Sequence, residues 1–366
     1  MKPTQLLALC LMSLLAISCN EKKKTSKEFN PLDTVQVVDM PESNDPDFMI
    51  KDTEGFPKVK NLSNYKQTTF LFAPECGIPA GKNAIYCSTL GIAWDQISAL
   101  FQSSYKIENE YIDLQLLDKS KWYVNSLKKG EYETTITVNA EQQKIAAKVK
   151  FNKALPFETV FDSSPDNDFT FNNSKVASFS ASGGYVTYNN QIDILYYEND
   201  NNFIIKLQPK DPNHEILLYL PKQKPETLSQ AFENFKALRK KGNRERKSNW
   251  RYEMILGDYI VIPKLSFNIE SEYNSMTGSK IIAGSGNLPF EISEMKQQTA
   301  FMLDEYGAKI EGQATAEVAT ADEGRKDKPI PKKLHFNKPF LIMLKRKDSP
   351  NPYFAMWVEN TELMQK

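Results

Sequence analysis

Two histidines and four cysteines stand among the groups that could do chemistry in this 366-residue chain, and their placement argues against most of it. His214 and His335 lie in the strand-like stretches NHEILLYL and KKLHFNKPF, with no GxSxG or comparable nucleophile nearby, so no nucleophile and base pair is visible. No GxGxxG or GxxxxGK[ST] supplies a phosphate cradle. No CxxC pair or Cys/His cluster suggests a metal or redox centre. Carboxylates are abundant, but sequence does not place two of them together. The expectation is a chain that is not an enzyme and uses no cofactor and no metal. What stands out instead is AFMLDEYGAKIEGQATAEVATADEGRKDKPIPKKLHFNKPF, a long alanine and threonine segment between two apolar runs.

Lys plus Arg and Asp plus Glu are both 46, which gives no reason to expect a nucleic acid partner, while 40% apolar and 11% aromatic residues suffice for a core. The apolar stretch Leu6 to Ile17 is too short to span a bilayer and ends in small residues before Cys19. AISC resembles a bacterial lipobox. That resemblance implies a signal peptide at 1–18, a lipidated Cys19, and an exported, membrane-anchored protein, periplasmic or at the cell surface. Residues 19–60 are polar and lack sustained periodicity, as expected of a tether, and 61–366 form the folded domain. Cys76 and Cys87 flank the Gly/Pro turn of CGIPAGKNAIYC and either close a short-loop disulfide or remain two buried thiols.

Periodicity supplies the elements that must position everything else. KNAIYCSTLGIAWDQISALFQ begins as a strand and continues as a helix with Leu90, Ala93, Trp94, Ile97 and Leu100 on one face. ETLSQAFENFKALRKKGN predicts a helix capped by Thr227, with Leu228, Phe232, Phe235 and Leu238 apolar and Gly242 as its stop. From about residue 145 onward, KVKFNKALPF, IDILYYEN, NFIIKLQPK, HEILLYLPK, YIVIPKLSFNIESEYN and KPFLIMLKRK read as strands with Gly, Asn and Pro turns between them. The fold class is α+β, with large mixed and antiparallel sheets.

These residues resemble the serpins, the serine protease inhibitor family. IPKLSFNIESEYN at 262–274 is similar to the family's "P-K-F-x-I-E-S-x-Y-x-L" strand, and HEILLYLPKQK at 214–224 to its strand ending "I-L-P". KVKFNKALPFETVFD at 148–162 resembles its "Y-F-K-G-x-W-x-x-P-F" stretch, and QQTAFMLDEYG at 297–307 the strand leading into the reactive loop. The resemblance covers about 148–360 and implies a serpin-like domain with a reduced helical N-terminal half and an exposed reactive loop at about 305–335.

A loop of that kind is bait. A protease cleaves it, and its N-terminal part then enters the large sheet as an added strand. On this resemblance Gly307 with Ala308, or Gly312 with Ala314 and Thr315, forms the hinge, and small Ala and Thr side chains suit insertion. The cleaved bond lies among Arg325, Lys326, Asp327 and Lys328; Pro329 disfavours cleavage after Lys328, which leaves Lys326–Asp327 as the first choice. The implied partner is a serine-type protease, met by a monomer. Departures also stand out: Lys153 or Ala154 replaces a family Trp, Gln298 a His, and Lys309, Ile310 and Glu311 occupy positions where inhibitory members have small residues. These motivate the alternative of a non-inhibitory binding or structural lipoprotein.

Overall fold

Strand sequences here come in two kinds, and they sort into different sheets. KIAAKVKFN alternates, with Ile145, Ala147, Val149 and Phe151 buried and the residues between them more open, as on a sheet with one wet face. HEILLYL and PYFAMWV are apolar throughout and buried at every position, as on a sheet covered on both faces. The computed structural model describes residues 55–101, 104–152, 154–163, 169–183, 188, 190–246, 250–284, 289–308 and 330–366.

The first sheet runs Glu133–Asn139, Lys144–Asn152, Pro289–Leu303, Leu265–Glu272 and Lys60–Asn61 across its body. Lys280–Ala283 and Tyr105–Ile107 extend it beside the start of the long strand. The second sheet runs Ile192–Asn199, Asn202–Leu207, His214–Leu220, Phe340–Arg346, Pro352–Val358, Asn83–Cys87 and Thr68–Leu71. A third joins Lys333–His335, Tyr259–Pro263, Ser178–Ser182 and Asp162–Ser163. The main core lies between the first two sheets. There the Phe354 ring is stacked against both Phe301, at 4.7 Å, and Phe151, at 6.1 Å. The class expected from sequence, α+β with large mixed sheets, is the one observed.

Three α-helices lie within the described residues: α1 (Thr89–Leu100), α2 (Ile112–Lys119) and α3 (Leu228–Glu245). α3 is capped as expected, Gln230 N–H donating to Thr227 Oγ1 at 3.1 Å. It covers the outer face of the second sheet with Leu228, Phe232 and Phe235. Gly242 does not stop it. The helix continues to Glu245, and Gly242 faces the backbone of Leu195, whose carbonyl oxygen would lie 1.9 Å from a Cβ. Close helix-to-strand approach, not chain reversal, is what requires glycine there.

The disulfide alternative for Cys76 and Cys87 is corrected: both are free. Asn83–Cys87 points alternate side chains to opposite faces, so Cys87 joins the main core while Ala84 and Tyr86, with Cys76 packed beside them, belong to the cluster under α3. The two sulfurs lie on opposite sides of one sheet. Burial pushes both thiols up to about 11, so neither is a thiolate at neutral pH.

Two outcomes follow. In the Cys10→Ser/Cys19→Ser chain, the buried Cys87 resists a thiol reagent in the native state, and both remaining thiols react on unfolding without reductant; a disulfide would leave none. Gly242→Ala, which would gain about 1 kcal/mol from helix propensity alone, instead lowers the melting temperature, because the new methyl collides with a strand backbone.

Candidate functional site

The long strand Pro289–Leu303 runs directly toward segment 309–329, so the site is built from what holds that strand and what receives the segment's two ends. On one side the strand pairs antiparallel with Leu265–Glu272. On the other it pairs parallel with Lys144–Asn152, from Glu291 opposite Lys144 to Ala300 opposite Asn152. Parallel neighbours within one sheet require a crossover elsewhere in the chain, and their ladder is slightly weaker per residue than an antiparallel one. This seam is the first element of the site. On its outer face Lys148 Nζ lies 3.5 Å from Glu294, and Lys296 Nζ reaches Glu294 at 2.6 Å and Glu272 at 3.1 Å. The ion pairs hold Glu294 below the usual carboxylate range even though its partial burial acts the other way.

Beneath the seam one polar knot interrupts the apolar face. Gln297 is fully buried, accepts from the Tyr273 hydroxyl, and donates from Nε2 to Thr89 Oγ1 at 2.6 Å and to the Cys87 carbonyl at 3.4 Å. The long strand is thereby tied to the first turn of α1. Lys144–Asn152 carries only Ile145, Ala147, Val149 and Phe151 on its inward face. The neighbouring Gln298, matched by sequence to a family His, faces the other way and donates to Asn268 Oδ1 at 2.9 Å; the inward partner of α1 is Gln297.

The upstream end of segment 309–329 is a tight reversal. Asp304 and Gly307 exchange backbone hydrogen bonds, and Gly307 sits at φ +113°, a conformation that disfavours any side chain. A Cβ there would meet the Leu155 carbonyl oxygen at 2.5 Å. Gly307–Ala308 pairs with Leu155–Pro156, just beyond the seam strand. Glu305 is held by Lys264 Nζ at 2.7 Å.

The downstream end is fixed by a charge pair with no solvent contact. Lys332 Nζ lies 2.7 Å from Asp258 Oδ2 with both side chains 0% exposed, and donates to the Glu253 carbonyl at 2.9 Å. Asp258 also accepts from the backbone N–H of Lys332 at 2.7 Å and of Ile255 at 2.9 Å. The indole of Trp250 lies 5.2 Å from the ammonium. Burial lowers the Lys332 ammonium from its usual range against the pull of Asp258.

Of the residues singled out by sequence, Gly307 and Ala308 fall in this site. Gly312, Ala314, Thr315, Arg325, Lys326, Asp327, Lys328 and Cys19 lie outside the described residues. His214 and His335 are structural in position: His214 Nδ1 is 3.0 Å from the Tyr353 hydroxyl, and His335 packs against the Tyr259 ring. Sequence reasoning missed Gln297, Lys332 and Asp258. A polar residue on the inward phase of an alternating strand could have flagged Gln297; KK after a proline carries no mark of burial. Among the described residues no group of three or more His, Cys, Asp or Glu could hold a metal, and no helix is long and apolar enough to cross a membrane.

No protein-family model matches the chain, and no curated protein matches it. Solved structures similar to it include the thermophilic serpin tengpin in its native state, at 14% identity and TM-score 0.45, covering 82% of this chain and 99% of that one. A serpin from the trematode Schistosoma haematobium is similar at 12% identity and TM-score 0.45, over 77% of this chain and 94% of that one. Serpin48 of the insect Tenebrio molitor is similar at 18% identity and TM-score 0.32, over 59% of this chain; the chain spans 55% of that protein's length.

Lys332→Met, which leaves Asp258 buried without its charge partner, should cost about 3–5 kcal/mol in chemical denaturation. Gly307→Ala should cost about 1–3 kcal/mol through forced backbone strain.

Proposed function

We propose that this chain is a serpin-like protein whose segment 309–329 is bait for a serine-type protease, carried on an exported domain tethered through a lipidated Cys19. The observation that carries this reading is the parallel seam. A strand leaving the end of Pro289–Leu303, turning at Gly307 and re-entering between Lys144–Asn152 and Pro289–Leu303 would run antiparallel to both. One slightly weaker parallel ladder would become two antiparallel ladders, with backbone hydrogen bonds gained along the whole insert. The reversal at Gly307 favours it over Gly312 as the hinge.

The alanines and threonines of GQATAEVATA suit such an insert, since their small side chains are readily buried on alternate faces. The Lys326–Asp327 bond, with Arg325 and Lys328 as neighbours, is what a trypsin-like protease would cut. The Lys332 anchor keeps the downstream side of that bond on the third sheet while the upstream side is released.

A second reading, a non-inhibitory binding lipoprotein on the same fold, draws support from a groove of about 380 Å³ between α3 and the second sheet. Phe232, Phe235, Leu217 and Met343 line it together with Lys240 and Lys345, a combination suited to a small apolar molecule bearing an anionic group.

Mixing the protein with trypsin separates the readings. The inhibitor account expects a covalent adduct that survives denaturing electrophoresis, its loss in Arg325→Ala/Lys326→Ala, and a marked rise in melting temperature once the segment is nicked. Clean cleavage without an adduct or a change in melting temperature supports the binding protein.

A further inference from the structure

Among the described residues one sheet edge lacks the usual protection against strand addition. Edge strands expose a row of unpaired N–H and C=O groups, and proteins blunt them with short length, bulges, lysine or proline. Most edges here obey that rule. Lys60–Asn61 and Asp162–Ser163 are two residues long, Thr68–Leu71 is four, Ile192–Asn199 is broken by register shifts, and Lys333–His335 and Tyr105–Ile107 are three residues each and carry a lysine.

Glu133–Asn139 differs on every count. It is seven residues, ETTITVN, with no lysine and no proline, and it pairs with Lys144–Asn152 in unbroken register from Glu133 opposite Lys150 to Asn139 opposite Lys144. Among the described residues no strand lies along its other side. Its inward residues Ile136 and Val138 pack on the main core yet remain half-buried, because the sheet ends there. A further strand would cover them.

We propose that this edge pairs with the same edge of a second copy of the chain, joining two first sheets into one. The sequence is self-complementary in the antiparallel register centred on Ile136. That register sets Thr135 opposite Thr137, Thr134 opposite Val138 and Glu133 opposite Asn139. No like charges meet, β-branched residues face β-branched residues, and inward positions stay inward on both copies. A two-fold axis perpendicular to the sheet and midway between the two copies of Ile136 generates the contact, which is therefore isologous and closed at two copies. An extended peptide from another protein would find the same backbone groups but no such matched side-chain row. The chain is then a weak dimer, in place of the monomer expected from sequence.

Sedimentation equilibrium of the full chain carrying Cys19→Ser, over a concentration series reaching the high micromolar range, tests this. The expected result is a twofold rise in mass with concentration. Thr135→Lys/Thr137→Lys and Thr135→Glu/Thr137→Glu each set like charges opposite one another and should remain monomeric alone; an equimolar mixture should regain the doubled mass. These side chains lie on the open face, and an unchanged far-ultraviolet circular dichroism spectrum identifies variants that remain folded. A parent chain that stays monomeric at every concentration overturns the proposal. So does a charged variant that dimerises alone, or a mixture of folded variants that does not recover the mass.

Discussion

The parallel pairing of Lys144–Asn152 with Pro289–Leu303 dictates both the path of the chain and the packing of the core. Two parallel strands side by side demand a long crossover, and here the chain from 153 to 288 supplies it: Ile192–Asn199, Asn202–Leu207 and His214–Leu220 of the second sheet and Asp162–Ser163, Ser178–Ser182 and Tyr259–Pro263 of the third lie between them in sequence. The seam also fixes what the core must do. Phe151 comes from one seam strand and Phe301 from the other, and both rest on Phe354 of the second sheet. If the seam admits a strand, the two phenylalanines move apart by about one strand spacing, roughly 4.8 Å, and Phe354 can keep full contact with only one.

The two sides of the seam are held unequally, which bears on how it could open. The long strand is tied inward through Gln297 to Thr89 and Tyr273, and laterally along Leu265–Glu272. Its neighbour has an apolar inner face and continues into the hairpin with Glu133–Asn139. Apolar contacts are non-directional and can slide, whereas a buried amide with matched partners resists displacement because each group left unpaired in the core costs free energy. The hairpin, tied to α1 by one part-buried hydrogen bond that Thr134 Oγ1 donates to Gln96 Oε1 at 2.9 Å, is therefore the less firmly held side. Both ends of segment 309–329 are meanwhile fixed, one by the turn at Gly307 and the other by Lys332 in its pocket of Asp258, Glu253 and Trp250.

Much of this architecture was legible in the residues. The alternation of KIAAKVKFN and the unbroken apolar runs of HEILLYL and PYFAMWV distinguish a sheet with one wet face from a sheet covered on both. Thr227 and the apolar stripe of α3 were readable for the same reason: local spacing determines them. What escaped depends on neighbours distant in sequence. Gly242 looks like a helix stop until the Leu195 carbonyl is placed against it. CGIPAGKNAIYC suggests a disulfide until the strand's two-residue period sends Cys87 to one face and leaves Cys76 on the other. Lys332 looks like any surface lysine until Asp258 closes over it. Of the candidate site, the residues alone singled out Gly307, with Gly312 as the alternative hinge, whereas the anchor and the buried amide follow from topology.

If segment 309–329 enters the first sheet on being cut, the seam must open to receive it. Lys148 and Lys296 stand opposite each other across the seam on its outer face. Replacing both with spin-labelled cysteines and measuring their separation before and after cleavage reads that event directly. Insertion predicts that the distance grows by one strand spacing, about 4.8 Å. An unchanged distance after complete cleavage would mean that no strand enters the seam.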